Sequence, residues 1–259
     1  MKFSLLILLL MSHSTFLLNV NEDWDKTGHR AIAQVAEMRL KKKVKKTVDY
    51  LLDGETLALA STYADEIKSD KKYRAYYSWH YINMAADENY MTVEKNPKGD
   101  IVTAIRTCIE EVKNVNNTKA IRAFHLRLLI HFIGDLHQPM HVGRKEDRGG
   151  NGVRLKWFGQ STNLHRVWDS NMIDYYKMSY MELSQNLPQL TRQEEKAIEE
   201  SSLLDWVEES HQLANMIYAD AEGKENLSYA YPYQHFPLVR LQLLKGGIRL
   251  ADILNKILA

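Results

Sequence analysis

Two histidine–aspartate pairs with helical spacing constrain the fold of this chain more than any other feature. They are His131–Asp135 and His165–Asp169, and residues four apart in a helix lie on the same face. The first pair lies in FHLRLLIHFIGDLHQPMH (residues 124–141), which is apolar on nearly every side, and such a helix is usually buried. A buried carboxylate needs a compensating cation or hydrogen-bond donors. A metal ion meets that need, and imidazole with carboxylate is a ligand mix that suits zinc and its neighbours.

Length and composition are those of a globular protein with a substantial core. The 259 residues are 45% hydrophobic and 26% charged, which allows one large domain or two small ones. The formal net charge of +1 excludes a strongly basic protein whose overall positive charge attracts nucleic acid. A nucleic acid would therefore be held locally, by metals and a few cations. Cys108 is the single cysteine, which excludes an intramolecular disulfide.

The first 23 residues are typical of a secretory signal peptide. Lys2 precedes the apolar run FSLLILLLM, and polar residues interrupt that run at positions 12–15. The run is too short to cross a bilayer comfortably, although an uncleaved membrane anchor is the alternative. We therefore expect a secreted or periplasmic protein that has no membrane attachment after cleavage, with residues 24–259 as its one domain.

The periodicity of apolar residues predicts a single all-α domain with at most a small β-hairpin. Helical spacing recurs in seven stretches, which are residues 28–52, 55–68, 100–115, 119–137, 164–176, 193–218 and 236–258. The one predicted strand region is VRLKWF at residues 153–158, which follows a Gly-Gly-Asn-Gly turn. The sequence has no H-E-x-x-H, C-x-x-C, Walker A, G-x-S-x-G or Rossmann motif, which argues against the enzyme classes that depend on them.

Four segments taken together resemble the S1/P1 nuclease family of zinc-dependent endonucleases. They are Trp24 with His29 in WDKTGHR, Ala-Asp-Glu at 64–66, HFIGDLHQPMH at 131–141 and NLHRVWD at 163–169, and the match extends to GGIRLADILN at 246–255. The resemblance implies a helical fold of the phospholipase C/P1 nuclease type. It also implies hydrolysis of single-stranded DNA and RNA to 5′-phosphate products, removal of the 3′-phosphate from 3′-nucleotides, and a monomer without a stable protein partner.

Carried over position by position, the resemblance implies three zinc ions. One would be held by Asp65, His80, His131 and Asp135; another by His141, His165 and Asp169; and the third by the backbone of Trp24, by His29 and by Asp135 as a bridging carboxylate. Asp135 lies one turn beyond His131, so its two oxygens can reach two ions. Pro139 ends the helix and lets His141 turn toward a separate site. Four further histidines have no ligand counterpart in the family pattern and are expected to be structural or on the surface: His125, His137, His211 and His235.

The resemblance also implies roles for residues beside the metals. Asp65 would orient or deprotonate a water that bridges two zinc ions, and Lys68, one helical turn on, would stabilise charge on the phosphoryl oxygens. Tyr81 matches an aromatic that stacks on a base, which suits single strands of any sequence. Asn83 stands where the fungal enzymes have an acidic residue, and its amide both donates and accepts, which leaves base preference open. Asn151 is expected to line the same cleft.

Two departures from the family pattern and two other functions remain open. A single cysteine cannot supply the disulfides of fungal and plant members, which favours a bacterial-type member. The residues before Trp24, Asn-Glu-Asp, do not resemble a signal cleavage site, so either a second cleavage exposes Trp24 or that zinc is held differently.

A zinc-dependent phospholipase C and a zinc-storing protein without turnover are the alternatives to the nuclease. Tyr81 and Lys68 favour the nuclease, and a storage site has no need for Asp65 and Lys68 beside the metals.

Overall fold

A computed structural model describes residues 26–259, and within this range the chain is a helical domain with one small sheet. The predicted signal peptide and Trp24 lie outside the described residues. In chain order the α-helices are α1 (Lys26–Glu37), α2 (Lys42–Leu51), α3 (Leu57–Ala60), α4 (Tyr63–Glu66), α5 (Ile101–Lys113), α6 (Lys119–Leu136), α7 (Leu164–Arg166), α8 (Met172–Tyr175), α9 (Tyr180–Gln185), α10 (Arg192–Glu200), α11 (Leu203–Ala221) and α12 (Ala230–Ile257). The predicted all-α class is confirmed.

Helix α6 lies at the centre of the domain, as its apolar sequence predicts. Thr118 begins it by accepting a hydrogen bond from the backbone N–H of Ile121, and every residue from 128 to 136 is buried. Helices α1, α3, α4, α5 and α12 all pack on α6. It ends at Leu136, and a 3₁₀ turn, Pro139–Val142, follows. The carboxyl end of the most buried helix therefore leads directly into the segment that carries His141.

The predicted long helices 28–52 and 193–218 are wrong, because a polar break divides each of them, and the predicted stretch 55–68 is likewise divided into α3 and α4. The stretch 28–52 divides into α1 and α2, and Asn255 Oδ1 accepts the backbone N–H of Lys41 just before α2. The stretch 193–218 divides into α10 and α11. Ser202 forms a capping box with Asp205, so its side chain satisfies a backbone N–H at the start of a new helix.

The predicted hairpin is present and leads into the second histidine–aspartate pair. Strands β1 (Arg154–Trp157) and β2 (Gln160–Asn163) pair antiparallel, joined by Phe158 and Gly159, which both have positive φ (49° and 81°), as tight hairpin turns require. A two-residue strand, β3 (Asn226–Leu227), adds to β1 in parallel and was not predicted. The side chain of Asn163 caps α7, so β2 fixes where the next residues, including His165, begin their helix.

The last helix fixes the position of the first one. Gly247 of α12 lies against α1 so closely that a Cβ there would come within 2.3 Å of Val35 Cγ1. This close approach holds α1, with the buried His29, against the centre of the domain. Within residues 26–259, no helix combines the length and apolarity needed to cross a membrane.

Candidate metal centre and substrate cleft

Eight of the nine predicted metal ligands lie together in the structure, and the ninth, Trp24, is outside the described residues. They form three groups in which the ligand atoms lie within 4.8 Å of one another: His29, His131 and Asp135; Asp65, His80 and His131; and His141, His165 and Asp169. Helices α1, α4 and α6, a 3₁₀ helix ending at His80, and the segment after β2 each contribute to this centre. Residues far apart in sequence therefore meet in one place.

Asp135 faces two of these groups at once. Its Oδ1 lies 3.3 Å from Nε2 of His29, while its Oδ2 lies 2.8 Å from Nδ1 of His80 and 3.2 Å from Nε2 of His131. The Asp135 side chain is fully buried. A carboxylate placed in this way can bind one cation with each oxygen, which is the geometry that a bridging ligand needs.

Backbone carbonyls fix the orientation of three of the histidine rings. Nδ1–H donates 2.7 Å hydrogen bonds from His131 to Ser61 O, from His141 to His80 O, and from His165 to Gly149 O. With the proton on Nδ1, the Nε2 of each ring keeps a free lone pair. A hydrogen bond of this kind to the second nitrogen is the usual support of a metal-binding histidine.

The second histidine–aspartate pair meets at a π-helical turn and not within a regular α-helix. His165 lies in α7, and Asp169 lies in the π turn Val167–Asn171, so the predicted continuous helix over 164–176 is wrong. The pair still comes together, with Nε2 of His165 3.8 Å from Oδ2 of Asp169, and Gln138 Nε2 donates a 3.0 Å hydrogen bond to Oδ1. Short π turns inside helices are frequent at functional sites.

Unsatisfied buried atoms show that the donor set suits a metal ion. Asp135 Oδ1, His141 Nε2 and Asp169 Oδ2 are buried and have no hydrogen bond within residues 26–259. Native structures rarely leave buried polar atoms without a partner. All three atoms are of the kinds that bind zinc.

The pKa values of the buried ligands also indicate a site that suits a cation. Burial alone would lower the pKa of His131, but the charges of Asp135 and Asp65 raise it well above its usual value. Burial would raise the pKa of Asp135, but the charges of His131 and His141 hold it well below. Burial would likewise lower the pKa of His141, which Asp135 and Asp169 raise to about 9. Buried negative charge therefore favours protonated His131 and His141, whereas burial lowers the pKa of His29, His80 and His165. A divalent cation would displace the protons from His131 and His141 and compensate the same carboxylates.

A cleft of about 270 Å³ opens beside the metal centre. The four predicted residues that are not metal ligands all line it: Lys68, Tyr81, Asn83 and Asn151. Lys68 Nζ lies 2.8 Å from Oδ1 of Asp65. Burial would raise the pKa of Asp65, but the charges of His131 and Lys68 hold it well below the usual value, so Asp65 is a carboxylate.

The site also contains residues that were not predicted, among them Tyr77, Gln138, Met140 and Arg148. Tyr77 lines the cleft, and its hydroxyl donates to the backbone carbonyl of Lys68. Gln138 orients Asp169 and also accepts the backbone N–H of Met140. The sequence carries a weak signal for Tyr77 alone, since it lies one 3₁₀ turn before His80.

The histidines expected to be structural have other partners. His137 is buried, donates from Nδ1 to Ile133 O at 2.7 Å, and accepts from Arg249 Nη1 at 2.8 Å. His211 donates to Val142 O at 3.1 Å, and His235 lies 3.0 Å from Asp220. His125 is bonded to the carbonyl of Ile121 in its own helix. Among the described residues none of the four belongs to a candidate ligand group.

Comparisons with known proteins agree with this geometry. The family model described as S1/P1 Nuclease matches residues 24–259. The chain is 30% identical over 281 residues to "Endonuclease 4" of Arabidopsis thaliana, covering 94% of this chain and 92% of that protein. It is 31% identical over 268 residues to "Endonuclease 1" of the same plant, covering 90% and 87%. It is also 26% identical over 266 residues to "Nuclease P1" of Penicillium citrinum, covering 90% and 97%.

Proposed function

Because the chain belongs to the S1/P1 nuclease family and is therefore a hydrolase of phosphodiester bonds in nucleic acids, we propose that it is a zinc-dependent endonuclease of single-stranded DNA and RNA. Its products carry a 5′-phosphate, and it also removes the 3′-phosphate from 3′-nucleotides. The observation that carries this proposal is the convergence of eight imidazole and carboxylate ligands beside a cleft that holds Lys68 and Tyr81.

The metal centre of the proposed enzyme would hold three zinc ions. The ligands would be Asp65, His80, His131 and Asp135 for the first ion, His141, His165 and Asp169 for the second, and Trp24, His29 and Asp135 for the third. The position of Asp135 between two groups supports its role as the bridge. Bound zinc would supply Lewis acidity, which lowers the pKa of water and stabilises charge on phosphoryl oxygens.

Asp65 and Lys68 act on the reacting groups. Asp65 is a carboxylate paired with Lys68, which lines the cleft, so it can orient the attacking water and accept a proton from it. Lys68, whose Nζ lies 2.8 Å from that carboxylate, places a positive charge where negative charge develops on the phosphoryl group during attack. A cation fixed before the reaction begins stabilises the transition state without further reorganisation.

Tyr81 accounts for the preference for single strands. Its ring is 41% exposed at the cleft, and an exposed ring stacks on a base whose faces are free, whatever its identity. A base in a duplex is already stacked on both faces. Asn83 and Asn151, which share the cleft, offer donors and acceptors to the base edge.

The proposed enzyme is a secreted or periplasmic monomer. Export is inferred from the N-terminal sequence, in which Lys2 precedes a short apolar run, and the monomer is inferred from the family resemblance. Ligation by the amine of Trp24 requires that the mature chain begin at that residue. A signal that is not removed would leave the third zinc without this ligand.

The test compares substrates and one conservative variant. The purified protein, stripped of metal and restored with zinc, is expected to hydrolyse single-stranded DNA and RNA much faster than duplex DNA. Asp65→Asn retains an oxygen donor and is expected to keep its zinc content but to lose at least about a hundredfold in kcat, the lower end of what a positioned general base contributes. Asp70→Asn, at an exposed carboxylate paired with Lys72, is the matched control.

The same assay separates the two alternatives. Hydrolysis of phosphatidylcholine in place of DNA would identify a phospholipase C. Zinc binding without hydrolysis of any phosphodiester would identify a storage protein. Equal rates for Asp65→Asn and the unchanged protein would remove Asp65 from the reaction.

A further inference from the structure

A second depression lies beside the catalytic cleft, on the other side of a shared wall. It has a volume of about 370 Å³, and Tyr81 and Asn83 line both cavities. We propose that it binds the next nucleotide of a single-stranded substrate, one position further from the metals than the nucleotide that stacks on Tyr81. This inference rests on the proposed nuclease function and extends it to the length of strand that the enzyme recognises.

The wall between the two cavities is held rigidly to the metal centre. Tyr81 is fully extended (φ −152°, ψ 167°), and the backbone N–H groups of Ile82 and Met84 donate to His141 O at 2.9 Å and Gly143 O at 3.0 Å. Ile82 and Met84 are buried. Since side chains alternate along an extended segment, Tyr81 and Asn83 face the cavities. A base stacked on Tyr81 therefore has a fixed place between the metals and the second depression.

The second depression contains a buried polar atom that lacks a partner. Ser78 lines it and is 7% exposed, and its Oγ has no hydrogen bond within the part of the chain that the structure describes. A hydroxyl both donates and accepts, so it can bond a ribose hydroxyl, a base edge or a phosphate oxygen. The nearby carboxylate of Asp100 is already occupied, since its Oδ1 accepts the N–H groups of Val102 and Thr103.

Two lysines of the second depression, Lys95 and Lys145, can contact a phosphate of the nucleic acid backbone, and the lining also contains the carboxylates of Glu94 and Asp100. Lys145 Nζ lies 3.0 Å from Oε2 of Glu94, and both side chains are well exposed (67% and 83%). An exposed pair of this kind is held weakly, so a phosphate can take the place of Glu94. Lys95 lies over the ring of Tyr90, 3.5 Å from its centroid, and donates to backbone carbonyls of its own loop. Contacts from such cations to phosphate position a strand without reading its sequence.

The experiment measures KM and kcat for a 3′-mononucleotide and for a single-stranded tetranucleotide. The mononucleotide fills only the catalytic cleft, whereas the tetranucleotide also reaches the second depression. Lys145→Ala is expected to raise KM for the tetranucleotide about three- to tenfold, with kcat and both constants for the mononucleotide unchanged. Glu94→Gln frees Lys145 and is expected to lower KM for the tetranucleotide alone. Lys196→Ala is the matched control, because Lys196 is equally exposed and pairs with Glu200 on α10.

Salt dependence provides a second readout. A phosphate contact contributes counterion release, so the salt dependence of KM for the tetranucleotide should be shallower in Lys145→Ala than in the unchanged protein. Equal effects of Lys145→Ala on both substrates, or no effect on either, would overturn the subsite while leaving the nuclease in place. Failure of the unchanged protein to hydrolyse either substrate would overturn the proposed function and the subsite with it.

Discussion

Gly134 allows His29 to lie directly against helix α6. A Cβ at position 134 would come within 2.5 Å of Nδ1 of His29 and within 2.8 Å of its Cε1, closer than van der Waals contact permits. The His29 ring also stacks on His131 at a centroid distance of 4.0 Å. The absence of a side chain at one position of α6 therefore places a histidine from α1 beside Asp135.

Gly134→Ala is expected to displace His29 and to lower the zinc content by one ion per chain. The added methyl group has no space, because α1 is itself held by α12. Elemental analysis of the purified variant measures the loss. Ala120→Gly is the control on the same helix: it costs about 1 kcal/mol of helix stability and should leave the zinc content unchanged. A Gly134→Ala protein with its full zinc content would show that His29 is not a ligand.

Lys68→Met is expected to lower kcat by about 10²- to 10³-fold, in the range found when one preorganised group that stabilises a transition state is removed. Methionine preserves much of the side-chain volume and removes the charge. Steady-state kinetics on single-stranded DNA measures the effect. Lys72→Met, at a side chain that is 65% exposed and paired with Asp70, should retain full activity. A rise in KM with kcat unchanged would instead mean that Lys68 binds the ground state and the transition state equally.

The sequence predicted the helical class and the burial of α6, and the structure confirms both. The resemblance to the family supplied the candidate metal ligands, and the eight of them that the structure describes lie together. The helical class and the burial of α6 depend on local runs of apolar residues, and the pairs His131–Asp135 and His165–Asp169 are visible as residues one turn apart. The strand region after the Gly-Gly-Asn-Gly turn was predicted for the same reason. Joint spacing of the motifs then identified the family.

The remaining features depend on contacts between distant segments. The break within 28–52 arises from a hydrogen bond to Asn255, and the break within 193–218 arises from capping by Ser202. Apolar periodicity reveals neither contact. The π turn at Val167–Asn171 moves Asp169 off the regular helical position. Gln138 acts through a neighbouring carboxylate, so its own sequence context does not mark it, and Tyr77 is marked only weakly by its position one turn before His80.

Glu209 gives the protein a stability contribution that depends on pH. Its Oε2 accepts from Arg249 Nη2 at 2.7 Å, and it also pairs with Lys245. Burial would raise the pKa of Glu209, but Arg249 and Lys245 lower it from 4.5 to about 2. Because this pKa is depressed in the folded protein, the contribution is present above about pH 4.5 and is lost as the pH falls from there toward about 2.

Glu209→Gln is therefore expected to destabilise the protein near neutral pH and progressively less below about pH 4.5. The expected loss at pH 7 is about 2–3 kcal/mol, somewhat less than for a fully buried pair, because the Glu209 side chain is 24% exposed. Urea unfolding of both proteins at pH 7 and pH 3 gives the difference in their free energies of unfolding at each pH. Effects of pH that the two proteins share cancel in that difference. Glu208→Gln, at the neighbouring exposed residue, is the control. A difference that does not shrink at pH 3 would contradict this assignment.

Native mass spectrometry of the mature secreted protein, with its metals retained, tests the central claim most directly, since it reports the first residue and the number of metal ions in one measurement. The account predicts a chain that begins at Trp24 and holds three zinc ions. A chain that begins well before Trp24 and holds only two zinc ions would contradict the third site. An active protein without bound zinc would contradict the metal centre as a whole.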